Sequence, residues 1–147
     1  MNNRLETSKQ TRTSPDRTIF SLLHAAQALE DRLESSLGTV ALSLPKFSVL
    51  NELVSAGKAL PLSELASRLS CVRSNMTQLV DRLEADGLVK RVNDPNDRRI
   101  VQAEITDEGR ARQAAGAAEV SRLHEEFAQQ TNVGDRAALL RLLTALE

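Results

Sequence analysis

The sequence predicts a mainly α-helical fold with a small β-hairpin wing, a winged helix-turn-helix flanked by long N- and C-terminal helices. Two short segments with apolar residues at helical spacing are joined by a tight turn at residues 70–72. Two β-rich segments, 88–92 and 99–105, follow directly with turn-forming residues between them. Long Leu- and Ala-rich helical segments stand towards both ends of the chain.

The composition limits the class of protein. At 147 residues the chain is one domain, or one domain with helical extensions. Three Phe are the only aromatic residues, so the core must consist of Leu, Val and Ala from closely packed helices. No apolar run approaches the ~20 residues of a membrane span, and the N-terminus lacks a secretory signal. A single cysteine cannot form an internal disulfide. We therefore expect a cytoplasmic protein with no membrane partner.

The N-terminal third is expected to form a disordered arm and two helices. Residues 1–13 are polar and lack periodicity. Ser14 and Pro15 have the residue types of a helix start, and this helix is expected to end at Gly38. A second helix is predicted over 44–56, with caps at both ends. The residues that mark its ends are Ser43, Pro45 and Gly57. Its expected inner residues are Phe47, Leu50, Leu53 and Val54.

The third and fourth helices form the predicted helix-turn-helix. After a possible short strand at 58–60, Pro61 opens a helix whose inner residues are Leu62, Leu65, Ala66 and Leu69. The fourth helix has an inward stripe of Met76, Leu79, Val80 and Leu83, and Gly87 is expected to end it with Leu88 folding back onto Leu83. Its other side is small and polar with arginines at the edges, as a helix that reads a DNA major groove requires. Taken alone, this helix fits an ordinary amphipathic surface helix better, and its neighbours change that interpretation.

The segments that follow predict a cationic hairpin and two more helices. Residues 93–98 are turn formers, and the alternation over 101–105 is typical of a half-buried strand. Lys90, Arg91, Arg98 and Arg99 lie near the base and tip of this hairpin. A helix is expected from Thr106, its cap, to about Gln130, and a last one from about Val133 or Asp135 to Leu146. We expect the terminal regions 14–38 and 106–147 to join two protomers, and residues 39–105 to form the winged domain.

Three motifs are specific in combination. They are Asp81-Arg82-Leu83-Glu84, Asp94-Pro95-x-Asp97-Arg98-Arg99 and Thr106-x-x-Gly109-Arg110. With the order of elements over residues 14–147, they closely resemble the MarR family of bacterial transcriptional regulators. The resemblance implies a homodimer with two winged helices on a palindromic double-stranded DNA operator, and repression relieved by a small ligand or by oxidation.

The resemblance also implies which residues contact DNA. It places six in or beside the major groove and three at the wing: Arg73, Ser74, Asn75, Thr77, Gln78 and Arg82, then Asp97, Arg98 and Arg99. Arg99 resembles the wing arginine of the minor groove, with Asp97 orienting it. Val72 stands where many relatives have a capping Ser, so the helix could start at Ser70 or Ser74 instead. Gln78 stands where Arg is frequent, which favours adenine contacts.

The charge balance supports an alternative. Residues 60–105 contain seven Lys/Arg and seven Asp/Glu, and the whole chain has a net charge of -1. A solvated face of mixed charge explains this balance as well. We favour DNA because the acids Glu64, Glu84, Asp86 and Glu104 need not face the same way as the arginines.

Three residues are candidates for sensing. Cys71, in the turn before the fourth helix, is either a redox switch or a small hydrophobe. His24 and His124 could hydrogen-bond a small aromatic or phenolic effector, although a surface or dimer-seam position is the commoner outcome. No residues have metal-ligand spacing, and no phosphate loop or catalytic motif is present, so we expect no metal, cofactor or enzyme activity.

The sequence thus predicts a sequence-specific, double-stranded DNA-binding transcriptional regulator, a ligand-responsive repressor that acts as a homodimer on a palindromic operator. The alternative is a winged-helix protein-interaction module or dimeric adaptor without DNA binding. The sequence does not identify the effector, the operator or the regulated genes.

Overall fold

The computed structural model describes the backbone of residues 15–146 and the side chains from residue 17. The arm expected at 1–13 and the cap expected at Ser14 lie outside the described residues. The elements are α1 (Pro15–Gly38), α2 (Leu44–Ala56), β1 (Leu60–Pro61), α3 (Leu62–Arg68), α4 (Arg73–Ala85), β2 (Val89–Asn93), β3 (Val101–Ile105), α5 (Asp107–Gln130) and α6 (Val133–Thr144). The predicted fold class, mainly α with a small β-hairpin wing, is confirmed.

The chain divides into two compact units, one up to Arg32 and one from Leu33 onward. The described part of the first unit is most of α1, which exposes the apolar side chains of Ile19, Phe20, Leu22, Leu23 and Leu29. The second unit contains the last turn of α1 and all later elements. No helix in the described part of the chain is long and apolar enough to cross a membrane.

Helix α2 has the predicted boundaries because local signals fix both of its ends. The Ser43 hydroxyl accepts the Lys46 N–H at 3.4 Å, and Gly57 ends the helix in the left-handed region at φ +64°. Of the expected inner residues, Leu50 and Leu53 are fully buried, whereas Phe47 and Val54 are half-buried. Val49, which was not expected, is also fully buried, because α2 contacts α4, α5 and β3.

The start of α4 corrects one expectation. The helix begins at Arg73 with Val72 as its N-cap, so a start at Ser70 or Ser74 is wrong. The preceding turn decides this, since the Cys71 N–H donates to the Ala66 carbonyl at 2.9 Å and Ser70 has a φ of +48°. Extended backbone at Val72 then leads directly into the helix.

The end of α4 is the predicted Schellman motif. The Leu88 N–H donates to the Leu83 carbonyl and the Gly87 N–H donates to the Glu84 carbonyl, both at 2.9 Å. Gly87 has a φ of +73°, which a side chain would disfavour. This turn places β2 directly beside the helix that precedes it.

The wing belongs to a three-stranded antiparallel sheet with the order β1-β3-β2. The strand expected at 58–60 lies at Leu60–Pro61. The second wing strand begins at Val101, not at Arg99, because the Ile100 N–H and carbonyl bond to Asp97 and Asp94 and extend the turn. Val101 is 39% exposed, contrary to the alternation, because it pairs with Asn93 at the end of the hairpin remote from the core.

Helix α5 begins at the predicted cap. The Thr106 hydroxyl accepts the Gly109 N–H at 3.0 Å and donates to the Gly87 carbonyl at 2.7 Å, which joins the start of α5 to the end of α4. Asn132 caps α6, which ends at Thr144, two residues short of the expected Leu146. No residue of α6 is buried.

Candidate nucleic-acid interface

The outer side of α4 carries polar groups that the core does not use. Met76, Val80 and Leu83 are buried and fix the inner side, and Leu79 is half-buried beside them. All six residues expected at the major groove are exposed: Arg73, Ser74, Asn75, Thr77, Gln78 and Arg82. The Thr77 hydroxyl donates to the Arg73 carbonyl at 3.1 Å, so its remaining capacity is that of an acceptor. The structure therefore gathers these six side chains on one accessible helix.

Asp94 shapes the wing turn, a role that the sequence analysis did not assign. One carboxylate oxygen accepts the Asn96 N–H at 2.7 Å and the Asp97 N–H at 3.2 Å, and the other accepts Gln102 Nε2 at 2.7 Å. An Asp that precedes Pro and further turn formers is the sequence signal for this Asx turn. Asp94 thus stabilises the turn that carries Arg98 and Arg99.

Arg99 projects from the wing. Its side chain is 92% exposed, and its Nε donates to Asp97 Oδ1 at 3.2 Å. The Arg99 backbone N–H donates to the same oxygen at 3.1 Å. Within the described residues its two terminal guanidinium nitrogens have no partner and remain available for a bidentate contact. The predicted pairing of Asp97 with Arg99 is therefore present in the structure.

Several acidic residues of this region form ion pairs with cations of the same chain. Each of the four acids that weighed against DNA binding has an ion-pair partner. The pairs are Glu64–Arg68 at 2.6 Å, Glu84–Arg91 at 2.5 Å, Asp86–Lys46 at 2.5 Å and Glu104–Lys90 at 3.3 Å. By contrast, the guanidinium groups of Arg73, Arg82 and Arg98 have no hydrogen-bond or ion-pair partner among the described residues. The balanced charge count therefore conceals free arginines beside paired acids.

Arg91 connects β2 to α4, which the sequence analysis did not anticipate. Its guanidinium contacts Asp81 and Glu84, both at 2.5 Å, and lies 3.4 Å from the Thr77 carbonyl. Its backbone N–H donates to Glu84 at 3.1 Å. This backbone hydrogen bond, followed by the side-chain hydrogen bond from Arg91, lowers the pKa of Glu84.

The candidate sensing residues lie outside this surface or at its edge. Cys71 is half-buried, and its Sγ lies 3.5 Å from the Val72 carbonyl. His24 is exposed on α1 in the first unit, and His124 is exposed on α5 in the second. No group of three or more His, Cys, Asp or Glu in the described residues could hold a metal ion. The sensing roles stay predictions.

Comparison with known proteins gives a consistent set of relatives. The MarR family model matches residues 42–101. The uncharacterized HTH-type transcriptional regulator YsmB from Bacillus subtilis is 34% identical over 89 residues, which is 60% of this chain and 60% of YsmB. The chain spans between 41% and 60% of the length of three such curated relatives, YsmB included.

Two solved structures have a similar fold and contain DNA. A mutant MarR from E. coli complexed with operator DNA has a TM-score of 0.79 at 27% identity, over 88% of this chain and 93% of that one. The transcriptional repressor CouR bound to a 23-mer DNA duplex has a TM-score of 0.79 at 30% identity, over 86% and 89%.

Proposed function

Because the chain belongs to the MarR family, we propose that it is a sequence-specific, double-stranded DNA-binding transcriptional regulator. One observation carries the proposal: Glu64, Glu84, Asp86 and Glu104 are ion-paired, whereas the guanidinium groups of Arg73, Arg82 and Arg98 are free and Arg99 extends from the wing. Cations placed in this way supply phosphate affinity despite a net charge of -1. The relatives are transcriptional regulators rather than enzymes.

The two parts of the surface have different roles in this proposal. The exposed side of α4 enters the major groove, where Gln78 favours adenine and the arginines bind guanine or phosphate. Arg99 enters the minor groove, with Asp97 orienting its guanidinium. The MarR and CouR complexes with DNA support duplex DNA as the partner, since both share the fold at more than a quarter sequence identity.

We further propose a homodimer that represses from a palindromic operator. The exposed apolar residues of α1 and α6 support a second copy as partner. CouR and MdtR are both transcriptional repressors, and MdtR from Bacillus subtilis is 31% identical to this chain over 90 residues, which supports repression as the sign of regulation. A small aromatic or phenolic effector stays a prediction of the family resemblance, and substitutions of His24 and His124 would test it.

The test measures binding to duplexes selected from a random double-stranded library and to the intergenic DNA upstream of the gene. Affinity should fall with salt at a logarithmic slope of about -0.9 per phosphate neutralised. Arg99→Ala should weaken every duplex and reduce that slope by about 1, whereas Gln78→Ala should change base preference. Lys58→Ala, in the exposed turn before β1, is the control. Affinity that is flat across salt for every duplex would contradict the proposal and favour a protein-interaction module.

A further inference from the structure

Helix α4 also exposes two carboxylates, those of Asp81 and Glu84. The Asp81 side chain is 59% exposed and that of Glu84 is 42% exposed. Asp81 follows Gln78 by three residues and Thr77 by four, so it shares their side of the helix. DNA carries one negative charge per about 1.7 Å of its axis, so an uncompensated carboxylate at this position would oppose binding.

Arg91 reaches both carboxylates from the neighbouring strand. Nη1 pairs with Glu84 Oε2 and Nη2 pairs with Asp81 Oδ1, so a single guanidinium lies between the two acids. The other cation at this level of the wing cannot replace it, because Lys90 pairs with Glu104 across the hairpin. Among the described residues Asp81 has no ion-pair partner besides Arg91.

We propose that Arg91 is a charge-masking residue for DNA binding, which pairs with Asp81 and Glu84 and offsets one of their two negative charges, so that less negative charge opposes the duplex at α4. The inference rests on the proposed function and extends it to a residue behind the contact surface. Arg91 also engages Asp81 Oδ1, which reduces the capacity of that carboxylate to accept a hydrogen bond from a cytosine amino group. We therefore expect the masking by Arg91 to raise affinity for any duplex rather than to set a preference for one base.

The experiment separates charge from geometry. The probe is a duplex recovered from a random double-stranded library by the wild-type protein, with binding followed by fluorescence anisotropy. Arg91→Met should weaken binding by at least about tenfold, because two carboxylates then face the phosphates. This loss should shrink as salt rises, since salt screens exposed charges. Lys58→Met removes a cation from the exposed turn before β1 and should change affinity by less than about threefold.

A rescue variant gives the decisive readout. Adding Asp81→Asn and Glu84→Gln to Arg91→Met removes the two negative charges but does not restore the contacts that Arg91 made. This triple variant should regain affinity to within about threefold of wild type. A triple variant that binds as weakly as Arg91→Met would overturn the proposal, because Arg91 would then act through geometry or through a direct phosphate contact. Equal binding by wild type and Arg91→Met would also overturn it.

A folding control and a double variant distinguish loss of charge masking from loss of the folded structure. Circular dichroism and thermal unfolding establish that each variant is folded. If Arg91→Met does not fold, the double variant Asp81→Asn/Glu84→Gln in the wild-type background should bind at least about threefold more tightly, and no gain would overturn the proposal. A wild-type protein that recovers no duplex at all would instead contradict the proposed function.

Discussion

Val72 determines how α4 begins. It has an extended backbone at φ -68° and ψ 146°, and its side chain makes no capping hydrogen bond. The first N–H groups of α4 therefore lack the side-chain acceptor that Ser43, Thr106 and Asn132 supply to other helices. In the proposed complex these groups point towards an anionic duplex, and a phosphate oxygen can accept from them.

We predict that Val72→Ser raises the free energy of unfolding by about 1 kcal/mol, because the new hydroxyl can accept an N–H of the first helical turn. Urea unfolding followed by circular dichroism measures the change. Val72→Ala, which shortens the side chain without adding an acceptor, should leave stability nearly unchanged. Equal stability of the Ser and Ala variants would show that the local geometry does not permit the cap.

Glu84 makes stability depend on pH. The hydrogen bonds from Arg91 lower its pKa in the folded protein, so Glu84 stabilises the fold above its ordinary pKa and loses this effect as pH falls through the lowered value. We predict that wild type is more stable than Glu84→Gln at pH 7, that the difference shrinks as pH falls below the ordinary Glu pKa of about 4.3, and that it disappears below the lowered pKa of the folded protein. Urea unfolding across this range tests it, with Glu104→Gln as control. A difference that persists at low pH would contradict the assignment.

At the scale of the element, signals within a few residues predicted both ends of α2 and the end of α4, but not the start of α4 or the end of α6. Ser43 caps the start of α2 and Gly57 caps its end, as expected, and Gly87 ends α4 as expected. The exposure of the polar side of α4 also followed from helical spacing, whereas the candidate DNA contacts came from the family resemblance. The hairpin differs from prediction at Val101, because alternation does not reveal how far a strand extends beyond the core.

Contacts between elements could not be predicted in the same way. Arg91 was placed correctly on the wing, but its partners lie seven to fourteen residues earlier in the chain and become neighbours only through the turn at Gly87. The burial of Val49 has a similar cause, since α2 packs against elements on more than one side. The pairing of the acids, which decides the electrostatics of the site, is therefore a property of the fold and not of any single segment.

The junction of α5 with β2 depends on the absence of a side chain at Gly109. A Cβ there would lie 2.0 Å from the Leu88 carbonyl oxygen and 2.8 Å from Ile105 Cγ1. We predict that Gly109→Ala destabilises the protein by about 3 kcal/mol or more, because the helix must move away from the strand. Gly38→Ala is the control, since open space surrounds that position, and it should change stability by less than about 1 kcal/mol. Similar denaturation midpoints for the two variants would contradict this account.

At the scale of the whole molecule, exposed large apolar side chains are frequent on α1 and α6. Leu140 and Leu142 are 65% and 68% exposed, although a leucine-rich helix normally buries such residues. A second copy of the chain would cover them, and it would also supply the second winged helix that a palindromic operator requires.

We predict that Leu140→Glu weakens self-association by at least about tenfold, because the dimer would bury a carboxylate in place of a leucine. Sedimentation velocity over a range of concentrations measures this, and Lys58→Gln, which changes the net charge by the same amount on an exposed turn, is the control. Operator affinity should fall together with dimerisation, since each winged helix would then bind its half-site without the gain in effective concentration that a linked pair provides. A Leu140→Glu protein that sediments as a monomer and keeps wild-type operator affinity would exclude twofold recognition, while leaving the roles of α4 and the wing unchanged.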